Sequence, residues 1–151
     1  MTPLPPLQQI AAGDQLLIDT SAVIAYLKGD EAASAASTVV LEELVATGRN
    51  PAMVSAITVA ELLVHPLKAG PPAVAKVRTF LLGFSGISIR SCDFLVAAEA
   101  ARIRAVTGAE TADALIAATA TLTSSTWLIT SDRALHDRMR SFEWSTQVLL
   151  L

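Results

Sequence analysis

Five short apolar runs recur along this chain: about 15–18 (QLLI), 52–55 (AMVS), 86–89 (GISI), 126–130 (TWLIT) and the closing STQVLLL. Each is too short for a buried helix and rich in the residues that fill strands. The first four are each followed by at least one stretch with helical spacing. A strand that re-enters a sheet in the same direction needs a long crossover, usually a helix. The alternation therefore predicts an α/β fold with a parallel sheet.

The helices expected between the strands fall at about 20–28, 31–47, 57–65, 72–82, 93–107, 111–123 and 132–140. Gly48 and Gly108 stand where C-cap glycines belong. His65-Pro66 is expected to end the third helix, because proline disfavours the α region in the residue before it. Residues 1–14 read as a loose lead-in with room for one helical turn, and residues 15–151 as a single domain. No internal repeat and no long linker divides them.

Composition narrows the function. Hydrophobic residues make up 52% and charged residues 17% of 151 residues, which suits a full core rather than a disordered tail. A lone Cys92 excludes an internal disulfide framework and fits a reducing, cytoplasmic setting. The first residues lack a basic n-region and carry three prolines, so they do not read as a signal peptide. The longest tempting uncharged stretch, Ala114 to Ser131, is studded with Thr and Ser and reads as helix, turn and strand rather than a membrane span. Net charge is −3, which gives no overall basic footprint for nucleic acid. It is uneven: residues 1–66 hold two bases against seven acids, and residues 67–151 nine bases against seven acids. A polyanion would be met by the second half or through a bound metal. The Ala-rich, apolar composition also predicts a homodimer.

Four acids stand at strand–helix seams. Asp19 follows the first strand, Glu61 lies early in the helix after the second, Asp113 opens a helix, and Asp132 lies two residues past the fourth strand. In an open parallel sheet, ligands bind outside the carboxyl ends of the strands. Each acid has a plainer role available. Asp19 and Asp132 can cap helices, Thr58-x-x-Glu61 has capping-box spacing, and Asp113 suits a helix dipole. Glu61 fits its plain role least well, being set among Ile57, Leu62 and Val64.

The strings DTSAVIAYL, TVAELL, DALIAATA and LITSDRAL, in that order, resemble the PIN-domain ribonucleases, most closely the VapC-type toxins of type II toxin–antitoxin pairs. The resemblance runs from about residue 16 to about 150. It implies a three-layer α/β/α fold with a central parallel sheet and helices on both faces. It implies a divalent-metal-dependent endoribonuclease that uses metal-activated water and leaves a 5′-phosphate and a 3′-hydroxyl. Asp19, Glu61, Asp113 and Asp132 match the catalytic, metal-holding acids, with Ser21 and Thr130 as supporting hydroxyls. The fourth motif of the family often carries Asn where this chain has Asp132. The resemblance also implies Mg²⁺ or Mn²⁺ as cofactor, RNA as substrate and a cognate antitoxin as partner. The chemistry agrees: gathered carboxylates repel one another, and hard cations with oxygen ligands relieve that. One Cys and two scattered His do not make a zinc site.

Other readings are weaker. Cys92 with His65 or His136 would make a thiol nucleophile, but nothing near Cys92 in sequence activates it. An Asp-nucleophile phosphatase wants an acid where Ser21 stands, and a phosphoacceptor receiver wants paired acids after the first strand. Arg133, Arg138 and Arg140 are candidates for holding RNA phosphates, and equally read as a solvated helix face. Trp127 and Trp144 read as packing. A catalytically silent PIN-like module that binds RNA or protein is the alternative to an enzyme.

Overall fold

A computed structural model describes residues 5–151. After a 3-10 turn at Pro5–Gln9, the chain forms β1 (Leu16–Ile18), α1 (Thr20–Lys28), α2 (Ser34–Thr38) and a π-helical stretch, Val39–Val45. Then come β2 (Ala52–Ser55), α3 (Ala56–Ala69), α4 (Pro71–Gly83), β3 (Ile87–Arg90), α5 (Phe94–Thr107) and α6 (Thr111–Leu122). Finally β4 (Trp127–Thr130), α7 (Arg133–Met139) and β5 (Gln147–Leu150) complete the fold.

The five strands form one all-parallel sheet in the order β3-β2-β1-β4-β5. Strand alternation sorts the core into two layers. Leu16, Ile18, Ala52, Val54, Trp127, Ile129 and Leu149 point to one face, where they pack with residues of α1, the π-helical stretch, α3 and α4. Leu17 and Leu128 point to the other, with Met53 and Val148 beside them, and pack with α5, α6 and α7. The sheet is thus covered on both sides, which is why its strands read as unbroken apolar runs. The α/β/α sandwich expected from the sequence is present.

Chain order reverses at β1. From β1 the chain builds outward through β2 to β3, then returns to the other side of β1 for β4 and β5. The carboxyl ends of β1 and β4 therefore flank the topological switch point.

Three local expectations need correction. Pro66 does not end α3, which continues to Ala69. A proline inside a helix removes one backbone bond, and the burial of Leu62 and Pro66 outweighs it. The helix stops instead at Gly70, with φ 130°. The helix expected over 31–47 begins only at Ser34, because the Ser34 hydroxyl accepts from Glu31 N–H and donates to Ala25 O, holding the chain in a turn. Its second half is wound wider, with Ala46 N–H bonding Leu41 O. Gly86 is obligatory beside that π-helical stretch: its φ is +87°, and a Cβ there would stand 2.6 Å from Val45 O.

The third concerns the lead-in expected over 1–14: residues 1–4 lie outside the described residues, and from Ile10 to Asp14 the chain is fastened to the fold. Ile10 is buried. Asn50, fully buried, donates from Nδ2 to Ala11 O and Asp14 O, and its Oδ1 accepts from Arg49 Nη1. Arg49 Nη2 donates to Ile10 O, and the Trp127 indole donates to Asp14 Oδ2. Asn50→Ala removes the bonds to Ala11 O and Asp14 O and takes the Oδ1 acceptor from the Arg49 guanidinium, so it is expected to cost about 1–3 kcal/mol in urea unfolding. Asn50→Ala with wild-type stability would show that the clasp contributes nothing.

Candidate active site at the sheet switch point

Asp19 leaves the end of β1 and is 4% exposed. It occupies the position before α1, yet its side chain makes no cap hydrogen bond. Its Oδ2 instead accepts two hydroxyls, Ser21 Oγ at 2.6 Å and Thr130 Oγ1 at 2.8 Å. Those hydroxyls are themselves fixed. Ser131 N–H donates to Ser21 Oγ, and Asp132 N–H donates to Thr130 Oγ1. The turn after β4 thus orients two protons onto one oxygen of the acid after β1, and Oδ1 is left without a side-chain partner. Burial pushes the Asp19 carboxyl above the usual carboxylate range, and the Ser21 and Thr130 hydroxyls and nearby backbone amides pull it partly back.

The other three acids differ in what holds them. Asp132 does cap α7: its Oδ1 accepts from Ala134 and Leu135 N–H. Glu61 is not part of a capping box, because α3 is capped by Ser55, whose hydroxyl accepts from Ile57 N–H. Its Oε1 lies 2.7 Å from the Thr20 hydroxyl, which is also 2.9 Å from Thr58 Oγ1. Asp113 sits in the first turn of α6, which has no side-chain cap. None of these four acids is in a salt bridge among the described residues.

Asp113 reports that the acids converge. Its carboxyl is pushed up to about 6, first by burial, then by the negative charges of Asp19, Asp132, Glu110 and Glu61. Glu110, at the N-cap of α6, is a fifth acid that the sequence reading passed over. Its i, i+3 spacing to Asp113 was the available signal.

The donor set is all carboxylate oxygen, which suits a hard divalent cation. Among the described residues no three acids are already drawn into an ion cage. The fit lies in the donor chemistry and in the mutual repulsion that a cation would relieve.

The candidate RNA contacts separate. Arg138 Nη1 donates to Gly108 O and closes the end of α5, so it is engaged in the fold. Arg133 and Arg140 are exposed on and just after α7. Cys92 faces the Ser55 hydroxyl at 3.6 Å, and His136 pairs with Asp137, so no thiol–imidazole pair forms. Trp127 and Trp144 pack, the latter edge-on to Phe142.

The pH dependence of the metal-free protein follows. Asp113 is held above its unfolded value, so the stability it contributes is complete below about pH 4 and is lost as pH rises through about 6, and Asp19, raised by burial, acts in the same direction. Asp113→Asn removes the repulsion. In EDTA, its melting temperature is expected to exceed wild type by a margin that opens between pH 4 and pH 7. A margin independent of pH would contradict the assignment.

Comparisons with known proteins bear on the same residues. Curated protein sequences gave no match. Solved structures did. VapBC2 from Rickettsia felis, bound to a promoter DNA fragment, superposes with a TM-score of 0.68 at 16% identity, covering 91% of this chain and 98% of that one. FitAcB from Neisseria gonorrhoeae gives 0.67 at 25% identity, covering 89% and 96%. VapC20 from Mycobacterium tuberculosis, a sarcin–ricin loop cleaving toxin, gives 0.64 at 14% identity, covering 87% and 98%. The family model of the PIN domain matches residues 16–140, a span that contains all four predicted acids. The chain belongs to the PIN domain family.

Proposed function

We propose that this chain is a divalent-metal-dependent endoribonuclease and the toxin of a toxin–antitoxin pair. The observation that carries the reading is the convergence of acids on Asp113 at the switch point of a PIN sheet, with no cation of the protein paired to them. The fold likeness to VapBC2, FitAcB and VapC20 supports it.

Asp19, Glu61 and Asp113 would hold the ion, with Asp132 adding its uncommitted Oδ2. Mg²⁺ or Mn²⁺, when bound, supplies positive charge for the phosphodiester and lowers the pKa of a coordinated water. The protein does the rest. Ser21 and Thr130 fix the Asp19 carboxylate in one orientation before any ligand arrives. Asp113, poised at about 6, gains or loses a proton near neutral pH, and its ionised form is favoured once charge is neutralised. Arg133 and Arg140 lie just past Asp132 and can meet phosphates of the RNA.

The same reading includes protein partners. A surface groove of about 790 Å³ runs along α3 and α4 and is lined by Leu67, Val74, Arg78 and Leu82. Leu67 and Leu82 are exposed there, as are Val64 elsewhere on α3 and Phe94 and Leu95 at the start of α5. Exposed apolar surface of this kind suits an antitoxin and a homodimer. No helix among the described residues is long and apolar enough to cross a membrane.

The test is cleavage of a mixed RNA pool by the purified chain. Cleavage is expected with Mg²⁺ or Mn²⁺ and none with EDTA. Asp19→Asn, Glu61→Gln and Asp113→Asn should each lower it at least a hundredfold with unchanged circular dichroism, and Asp132→Asn should be milder. RNA binding without metal-dependent cleavage would refute the enzyme and favour a binding module.

A further inference from the structure

Thr20 and Thr58 are buried at the junction of α1 and α3, and neither is explained by packing alone. Thr20 is 7% exposed and Thr58 is fully buried. A valine fills the same space as a threonine without a hydroxyl that needs a partner. Here the two hydroxyls meet at 2.9 Å, and the Thr20 hydroxyl lies 2.7 Å from Glu61 Oε1. Each hydroxyl has one proton. An ionised carboxylate only accepts, and it is the stronger acceptor, so the Thr20 proton goes to Glu61. Thr58 Oγ1, 2.9 Å away, is the second acceptor that the Thr20 hydroxyl reaches, so Thr20 stands between the interior and a carboxylate on the surface.

Glu61 needs such a hold more than the other acids. It is exposed on the second turn of α3, whereas Asp19 is fixed by two hydroxyls and Asp132 by two amides. A free glutamate samples many rotamers, and ordering it for a ligand costs entropy. The bond from Thr20 takes Oε1 and leaves Oε2 without a hydrogen-bond partner among the described residues.

We infer that Thr20 is a positioning residue that pre-orients the Glu61 carboxylate for the divalent cation. The inference rests on the metal-site part of the proposed function. Because Thr20 adjoins Asp19 in sequence and Glu61 lies 41 residues on, it couples two of the metal-holding acids through a bond that neither local sequence pattern reveals. Partners that orient metal ligands from behind typically matter by 10–100-fold in metal affinity or activity.

The experiment uses the full chain and Mn²⁺ alone as probe. Wild type, Thr20→Val, Thr20→Ala and Thr20→Ser are compared by circular dichroism and melting, by calorimetric titration with Mn²⁺, and by RNA cleavage across metal concentrations. Thr20→Val is expected to bind Mn²⁺ about tenfold more weakly, and to need correspondingly more metal for half-maximal cleavage, with KM for RNA unchanged at saturating metal. Thr20→Ser restores both. Thr20→Ala, which removes the same hydroxyl without adding a methyl group, shifts both the same way and decides the question if Thr20→Val does not fold. A folded Thr20→Val, or in its place Thr20→Ala, with wild-type Mn²⁺ affinity overturns the inference while leaving the ribonuclease reading intact. Wild type that binds Mn²⁺ but cuts no RNA defeats the ribonuclease reading alone, and the affinity comparison still decides this one. Wild type that binds no Mn²⁺ overturns both.

Discussion

The arrangement turns on one buried carboxylate. Asp19 is taken almost wholly out of water at the end of β1, where burial disfavours its charge. The site exists because β4 lies beside β1, so that Thr130 at the end of β4 and Ser21 on α1 both donate to Oδ2. Two backbone amides of the turn after β4 hold those hydroxyls. A parallel pairing of β1 with β4, set by Leu16 opposite Trp127 and Ile18 opposite Ile129, is therefore a condition for the electrostatics.

Packing brings the remaining acids to the same edge. α6 is lined with alanines, and Ala114, Ala117, Ala118 and Ala120 are fully buried. Small side chains let a helix approach the sheet closely, and this places Asp113 within reach of the charges of Asp19, Asp132 and Glu61. α3 starts directly from β2, so Glu61 rises from the neighbouring strand end. The result is a polar edge on an apolar sandwich, with repulsion among its members and the side-chain hydrogen bonds to Asp19 and Glu61 supplied by hydroxyl groups.

What was legible in the sequence is what local pattern encodes. Short apolar runs ending in Asp19 and before Asp132 mark strand ends, and strand ends of a parallel sheet share an edge. The sequence puts Asp19, Glu61, Asp113 and Asp132 at that edge, and the charges of the other three act on the Asp113 carboxyl. Local pattern fails where distant residues decide. Thr58-x-x-Glu61 has the spacing of a capping box, but Thr58 is turned to Thr20, 38 residues away, and Ser55 caps the helix. Arg138 reads as a free cation, yet it bonds the carbonyl of Gly108 on another element. Pro66 reads as a helix end, yet tertiary burial carries α3 past it. The lead-in reads as loose because its anchors, Arg49 and Asn50, lie some forty residues on.

The central claim is that like charges are held together at the switch point until a cation relieves them. Thermal melting of wild type and Asp19→Asn, each in EDTA and in millimolar Mg²⁺, tests it most directly. Asn keeps the acceptor for Ser21 and Thr130 and removes the charge. Asp19→Asn should melt above wild type in EDTA. Mg²⁺ should raise the wild-type melting temperature, because a ligand of the native state stabilises it by mass action, and should raise the variant much less. Asp19→Asn no more stable than wild type in EDTA, with no Mg²⁺ shift in either protein, would contradict the account.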